Sequence, residues 1–382
     1  MSASARKTHQ LILSPGMFGF GRLAAYDYFG HLDRAFARRF ADAGVPVTIH
    51  VADVPPTASV RRRTAKLAEQ VAKLDRGGPI HLLGHSTGGL DARLAASPSV
   101  SLTVAPEQLD WLGRVRTVTT MNTPHFGTPL ANFFATAQGQ RVLHAISAMT
   151  IIGLSLGSPP LALASALVGV LGRTDRAFGL EIRVLDGLVD KLVSRLDQVR
   201  STEVRTYLGA IKADQGAIIQ LTPEAMDLFQ AGIEDRQGVR YQSTASMAPP
   251  PGPAKWLRAV RHPWIGVSSA LFTAIHTITA AYDERYPCAL ETASPAAEAR
   301  LAGTFERSPG ARANDGVVPL RSQIWGELVW AGLGDHLDVL GHYQGEKGGN
   351  HVDWMTSGSH FTRKEFDGLV DAMARGMVTA QA

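Results

Sequence analysis

The sequence predicts an α/β protein, a mostly parallel sheet with helices on both faces and apolar segments inserted into it. Short apolar runs alternate with amphipathic stretches from residue 9 to residue 121. The runs are apolar at most positions, as in strands buried on both faces. The stretches between them repeat apolar residues at spacings of three and four, the helical period.

Each element follows in order. HQLILSPG (9–16) reads as a buried strand closed by Pro15 and Gly16. Residues 26–43 read as a helix with Phe29, Leu32, Phe36 and Phe40 on one face and Gly44 ending it. VPVTIHVADVPP (45–56) is a second strand, and its prolines close it. A helix over 58–75 puts Val60, Leu67, Val71 and Leu74 inward and stops at Gly77 and Gly78. PIHLLGHS (79–86) is a third strand, TGGLDARLAA (87–96) a third helix and RVRTVTTMNTP (114–124) a fourth strand. Near the C-terminus, Thr362 and Glu365 have capping-box spacing. Phe366, Leu369, Val370, Met373 and Met377 then form the inward stripe of a last helix.

The middle departs from this alternation. Residues 145–172 carry no charge, a length that could span a membrane, but Pro159 and Pro160 interrupt it. The expectation is two short apolar helices about a kink. A second uncharged stretch, 263–282, follows the proline-rich APPPGP at 248–253. The chain therefore reads as a single domain over 1–382, with a lid or cap inserted at 136–200 and a second cap segment at 248–282.

Composition narrows the function. At 382 residues the chain can bury a large core, and 19% charged residues is not a disordered composition. The net charge of +4 is scattered, and without a basic stripe a nucleic-acid partner is excluded. Arg61, Arg62 and Arg63 read as a solvated helix face. A lone cysteine, Cys288, excludes an internal disulfide. The apolar run after the first basic residues is too short for a signal peptide. The chain as it stands is expected in the cytoplasm, with secretion after removal of a leader as the alternative.

The chemistry centres on Gly84-His85-Ser86-Thr87-Gly88, a G-x-S-x-G pentapeptide with a strand before it and a helix after it. Glycines flank the serine because the turn is too tight for side chains. The serine takes a strained backbone conformation that lifts its hydroxyl above the sheet. Such a nucleophile needs a base, and the base needs an orienting acid, in the order Ser, acid, His. Asp315, in NDGVVP, supplies the acid, although an Asn-Asp-Gly turn is common without any function. His336, directly after the strand-like GELVWAGLG, is the first choice for the base, and His351, in NHVDW, is its rival. His342 and His360 read as surface or loop residues. The oxyanion hole needs two N–H donors. Thr87, next after the serine, offers one. Met17, in the glycine-rich SPGMFGFG, offers the other.

These segments carry a resemblance. ILSPGMFGFGRLAAYDYFGHL, LLGHSTGGLDAR, MNTPHFGTPLANF, NDGVVP and DHLDVLG occur in the order and at the spacing of bacterial triacylglycerol lipases and carboxylesterases of the α/β-hydrolase superfamily. The chain resembles these enzymes over about 10–135 and 200–345. The resemblance implies an α/β-hydrolase fold, with Ser86 as nucleophile, Asp315 as acid, His336 as base, and Met17 and Thr87 as oxyanion donors. It implies cleavage of carboxylic esters with apolar acyl chains through an acyl-enzyme. The partner is then a lipid or other apolar ester, with transient contact at a lipid surface. Acyl transfer on the same fold, or an inactive lipid-binding module, are the alternatives. No cofactor is needed for the chemistry. Many relatives hold a structural calcium through the acid two residues after the base, the position of Asp338, where a plain hydrogen-bonding role is the alternative. Tyr343 and Gln344 stand where some relatives carry ligands. Pro15-Gly16 replaces the usual His-Gly of the oxyanion loop.

Overall fold

The computed structural model describes residues 7–17, 22–23, 26–156, 161–171, 187–194, 196–253, 262–281, 293–343 and 355–380. β1 (His9–Ser14) is followed by a small antiparallel hairpin, β2 (Arg22–Leu23) with β3 (Tyr26–Asp27). α1 (Gly30–Asp42), β4 (Val47–Val51), α2 (Val60–Leu74), β5 (Ile80–His85), α3 (Thr87–Ala96) and β6 (Val115–Met121) come next. A helical segment follows: α4 (Pro129–Phe134), α5 (Ala137–Leu156), α6 (Leu161–Leu171), α7 (Gln198–Ala213), α8 (Gly216–Gln220) and α9 (Pro223–Gly232). β7 (Arg240–Met247), α10 (Pro263–Thr279), α11 (Pro295–Phe305), β8 (Glu327–Leu333) and α12 (Arg363–Val378) complete the order.

Six strands form one sheet in the order β4-β1-β5-β6-β7-β8, and every neighbouring pair is parallel. Side-chain alternation along β1 divides the core between the two faces. Leu11 and Leu13 pack with Phe36 and Phe40 of α1 and Leu369 and Met373 of α12. Ile12 faces the other way, with Leu67 of α2, Ala92 of α3 and Trp111. A third apolar cluster joins α4 to α7 with α10, through Phe134, Leu143, Leu167, Leu208 and Phe272. The final helix carries the expected capping box, and its five expected core residues are buried.

Several elements differ from the sequence expectation. α1 begins at Gly30 rather than residue 26, because Tyr26 and Asp27 pair with the preceding strand. β7 was not anticipated: RYQSTASM carries polar residues at buried positions, some of them held by tertiary partners. Gln242 is the example, donating to Thr119 Oγ1 at 2.8 Å and to the Met373 carbonyl at 2.9 Å. Within 145–172 there are two helices, but the first, α5, is 20 residues long and begins at Ala137. Residues 157–160, with both prolines, lie outside the described residues. Among the described residues no helix is long and apolar enough to cross a membrane.

The triple arginine needs correction. Arg61 and Arg62 are exposed, but Arg63 is fully buried and paired with the equally buried Asp91 of α3 at 2.7 Å. The guanidinium also donates to the carbonyls of Pro15 at 2.6 Å and Pro55 at 2.8 Å. Asp91 accepts from the Ser14 hydroxyl at 3.0 Å. Burial pushes the Asp91 carboxyl above its usual range, and Arg63 and Ser14 pull it back down. Helical periodicity places Arg63 on the inward side of α2, and nothing local to it announces the distant carboxylate. Removing one partner strands the other charge in the interior. Asp91→Ala should therefore destabilise the fold by about 3–5 kcal/mol in urea unfolding.

Candidate active site

The strand-turn-helix from β5 to α3 presents Ser86. Its backbone lies at φ 55°, ψ −129°, a conformation that costs a non-glycine residue about 1–3 kcal/mol. Packing holds it there. Ser86 N–H donates to the Met121 carbonyl at 2.8 Å, and Gly89 N–H to the Ser86 carbonyl at 3.0 Å. A Cβ on Gly84 would lie 2.0 Å from the Gly88 carbonyl oxygen, and one on Gly88 2.1 Å from that of Ser14. The close approach of α3 to the end of β1 thus requires the second glycine.

Asp315 and His336 arrive from the other end of the chain. The His336 Nδ1–H donates to Asp315 Oδ2 at 2.7 Å, and His336 N–H to the Asp315 carbonyl at 3.0 Å. The N–H groups of Val317 and Val318 donate to Asp315 Oδ1 at 2.9 and 2.7 Å. Asn122 Nδ2 donates to Oδ2 at 2.8 Å. The Asp315 carboxylate, with no exposed surface, is thus held by four donors. Asn122 follows β6 in the left-handed region, φ 49°, and aims its amide at the acid. Sequence reasoning passed over it, although Asn tolerates that conformation better than most residues.

Ser86 and His336 line one cavity. Its walls are mostly apolar, with Leu130 and Phe134 of α4, Ile146 of α5, Leu221 just after α8 and Ile275 of α10 among them. Met17 and Thr87 also line it. Thr87 opens α3, so its N–H is among the first-turn donors that have no partner within the helix. His342 was expected as a surface or loop residue, and it lies in the loop after the Asp338–Leu340 turn. It is buried, edge-on to the His31 ring, and lines the cavity. His360 is exposed, as expected. His351, Gln344 and Cys288 lie outside the described residues.

Asp338 is hydrogen-bonded to its neighbours in the turn after β8. Its Oδ2 accepts from the Asp335 N–H at 2.9 Å and the Ser359 hydroxyl at 2.6 Å. Among the described residues no group of three or more His, Cys, Asp or Glu side chains could hold a metal. Tyr343 packs on Phe361 and Phe366 instead. Asp338 is therefore a buried hydrogen-bond acceptor in the turn that carries His336.

Solved structures of the same arrangement include EstA from Clostridium botulinum, with a TM-score of 0.51 at 16% identity, over 99% of this chain and 89% of that one. Staphylococcus hyicus lipase gives 0.50 at 14% identity, over 99% and 97%. The fold is that of the α/β-hydrolases. No family model matches the chain. A triacylglycerol lipase of Vibrio cholerae serotype O1 is 30% identical over 152 residues, 39% of this chain and 42% of that protein. One of Pseudomonas fragi is 28% identical over 135 residues, 35% and 40%. The matches thus span about two fifths of the length of these curated relatives. In the hydrolase frame, Asp315 stands in the segment between the last two strands and His336 follows the last, β8.

Beside the histidine, Asp335 is a buried carboxyl pushed up to about 6, chiefly by burial, with nearby Asp315 adding to the rise and Ser357 and two backbone N–H groups opposing it. A raised folded-state pKa stabilises the fold fully below the unfolded value of about 3.9 and is lost as pH rises through about 6. The stability of wild type relative to Asp335→Asn, which does not titrate, should fall by about 2–3 kcal/mol from pH 4 to 7 in urea unfolding.

Proposed function

We propose that this protein is a serine carboxylic-ester hydrolase acting on esters with apolar acyl chains. The observation that carries this reading is the single apolar-walled cavity that holds both the strained serine and the aspartate-anchored histidine. The names of the partial relatives, triacylglycerol lipases, support acylglycerols as the substrate class.

In this reading His336 Nε2 takes the proton of Ser86 as the oxygen attacks the ester carbonyl. The Nδ1–H bond to Asp315 leaves Nε2 unprotonated in the neutral ring and stabilises the imidazolium that forms. Asp315 stays ionised, solvated by the Val317, Val318 and Asn122 donors in place of water. The N–H groups of Met17 and Thr87 receive the oxyanion. The alcohol departs with the proton from His336, and water repeats the sequence on the acyl-enzyme. In this reading the described parts of 136–200 and 248–282 cap the site, and Ile146 and Ile275 from these segments line the cavity that would take the acyl chain.

Hydrolysis of p-nitrophenyl esters from C2 to C16 tests the reading. Ser86→Ala and His336→Ala should each lower kcat by about 10⁴-fold or more, and His351→Ala should leave it near wild type. A Ser86→Ala variant with wild-type turnover would remove the nucleophile and with it the reading. Asn122→Ala removes a hydrogen bond to a buried charge and should lower kcat/KM by about 10- to 100-fold. EDTA should leave activity unchanged, in keeping with the hydroxyl and amide donors at Asp338.

A further inference from the structure

We propose that Tyr28 and His85 are positioning residues, a hydrogen-bonded relay that ties the oxyanion loop to the backbone of the catalytic histidine. The proposal rests on the ester-hydrolase reading of the same site.

Donor and acceptor roles along this relay are fixed by its ends. His85 Nε2 lies 3.0 Å from the carbonyl oxygen of His336. A carbonyl only accepts, so Nε2 carries the hydrogen and Nδ1 presents a lone pair. The Tyr28 hydroxyl lies 2.7 Å from Nδ1 and must donate to it. The phenol oxygen is then left to accept, and the Gly16 N–H donates to it. The direction therefore runs from Gly16 N–H to Tyr28 Oη–H to His85, and from His85 Nε2–H to the His336 carbonyl. Burial keeps both groups in the required form. It holds the His85 imidazole far below its ordinary pKa, with His336 adding to the effect, and it raises that of the Tyr28 phenol.

The relay spans the reacting centre. Gly16 immediately precedes Met17, and a Cβ on Gly16 would lie 2.9 Å from both Ser86 Cβ and Tyr28 Oη. The His85 ring is 4.7 Å from the His336 ring. Both flanks of Ser86 thus refer to one pair of side chains, which share no atom with the Asp315–His336 bond. Losing the relay should misplace the oxyanion donor and the histidine together while leaving the apolar acyl cavity intact.

Steady-state kinetics on a C8 p-nitrophenyl ester tests this with Tyr28→Phe, His85→Leu, the double variant and Ser86→Ala, each checked by thermal unfolding. Tyr28→Phe removes one oxygen and retains the ring. It should lower kcat by about tenfold or more with KM within about twofold. The double variant should be no slower than His85→Leu alone, since one relay is broken once. Wild-type kcat in Tyr28→Phe, multiplicative losses in the double variant, or a rise in KM with kcat unchanged would each overturn the relay. The last would make Tyr28 a substrate contact instead. Should Ser86→Ala be inactive while Tyr28→Phe is unaffected, the relay falls and the hydrolase reading stands. An active Ser86→Ala removes the hydrolase reading itself.

Discussion

A guanidinium without exposed surface lies under the loop that follows β1, and much of the site is built on it. Arg63 reaches up from α2, pairs with Asp91 on α3 and caps the carbonyl of Pro15. Ser14, at the end of β1, completes the Asp91 shell. Three elements, β1, α2 and α3, are thus fixed to one buried charge pair. Desolvating both ions is costly, and such a pair is weak as a source of net stability. Its physical value is directional. A planar fork of donors accepts few arrangements of its acceptors, whereas apolar packing accepts many. Residue 16, one peptide from Pro15, inherits that definition.

Ser86 itself shows why such rigidity is required. Its backbone conformation is unfavourable in isolation, so its surroundings must over-determine it. The surroundings are backbone: the Met121 carbonyl on one side, and α3 packed against the Ser14 carbonyl on the other. The candidate acid is held in a comparable way, by donors that approach it from three separate segments. Little in the immediate surroundings of the serine or the acid is left to flexible side chains.

Much of this was legible in the amino-acid pattern. β1, β5 and α3 announce themselves because their periods are local and apolar, and the pentapeptide declares its turn through glycines. The contact between Asp315 and His336 was foreshadowed by their order after the serine and by the strand before the histidine. What escaped has a common cause. Arg63, Asn122 and Tyr28 acquire their roles from partners far away in the chain, such as Asp315 for Asn122. No window of neighbouring residues contains that information. β7 escaped because its buried positions are polar, and only tertiary partners such as Thr119 explain them. The partner of Asp338 escaped for the same reason: a lone carboxylate in sequence carries no record of the hydroxyl that faces it, Ser359.

The chain between β7 and Asp315 has one further property. It leaves the sheet at Ala248 and returns at Asn314, where the Ala248 N–H donates to the Asn314 carbonyl at 3.0 Å. Nearby, Gly334 N–H closes on the Met247 carbonyl at 2.9 Å. Departure and arrival are therefore stapled at a common stem, and α10 and α11 hang from it like a detour that rejoins its road at the same junction. The entropy of closing such a detour grows only logarithmically with its length. Insertions or deletions out along it should change what walls the cavity while Asp315 remains at its post, a division of labour that lets the cavity's shape drift independently of the Asp315–His336 pair.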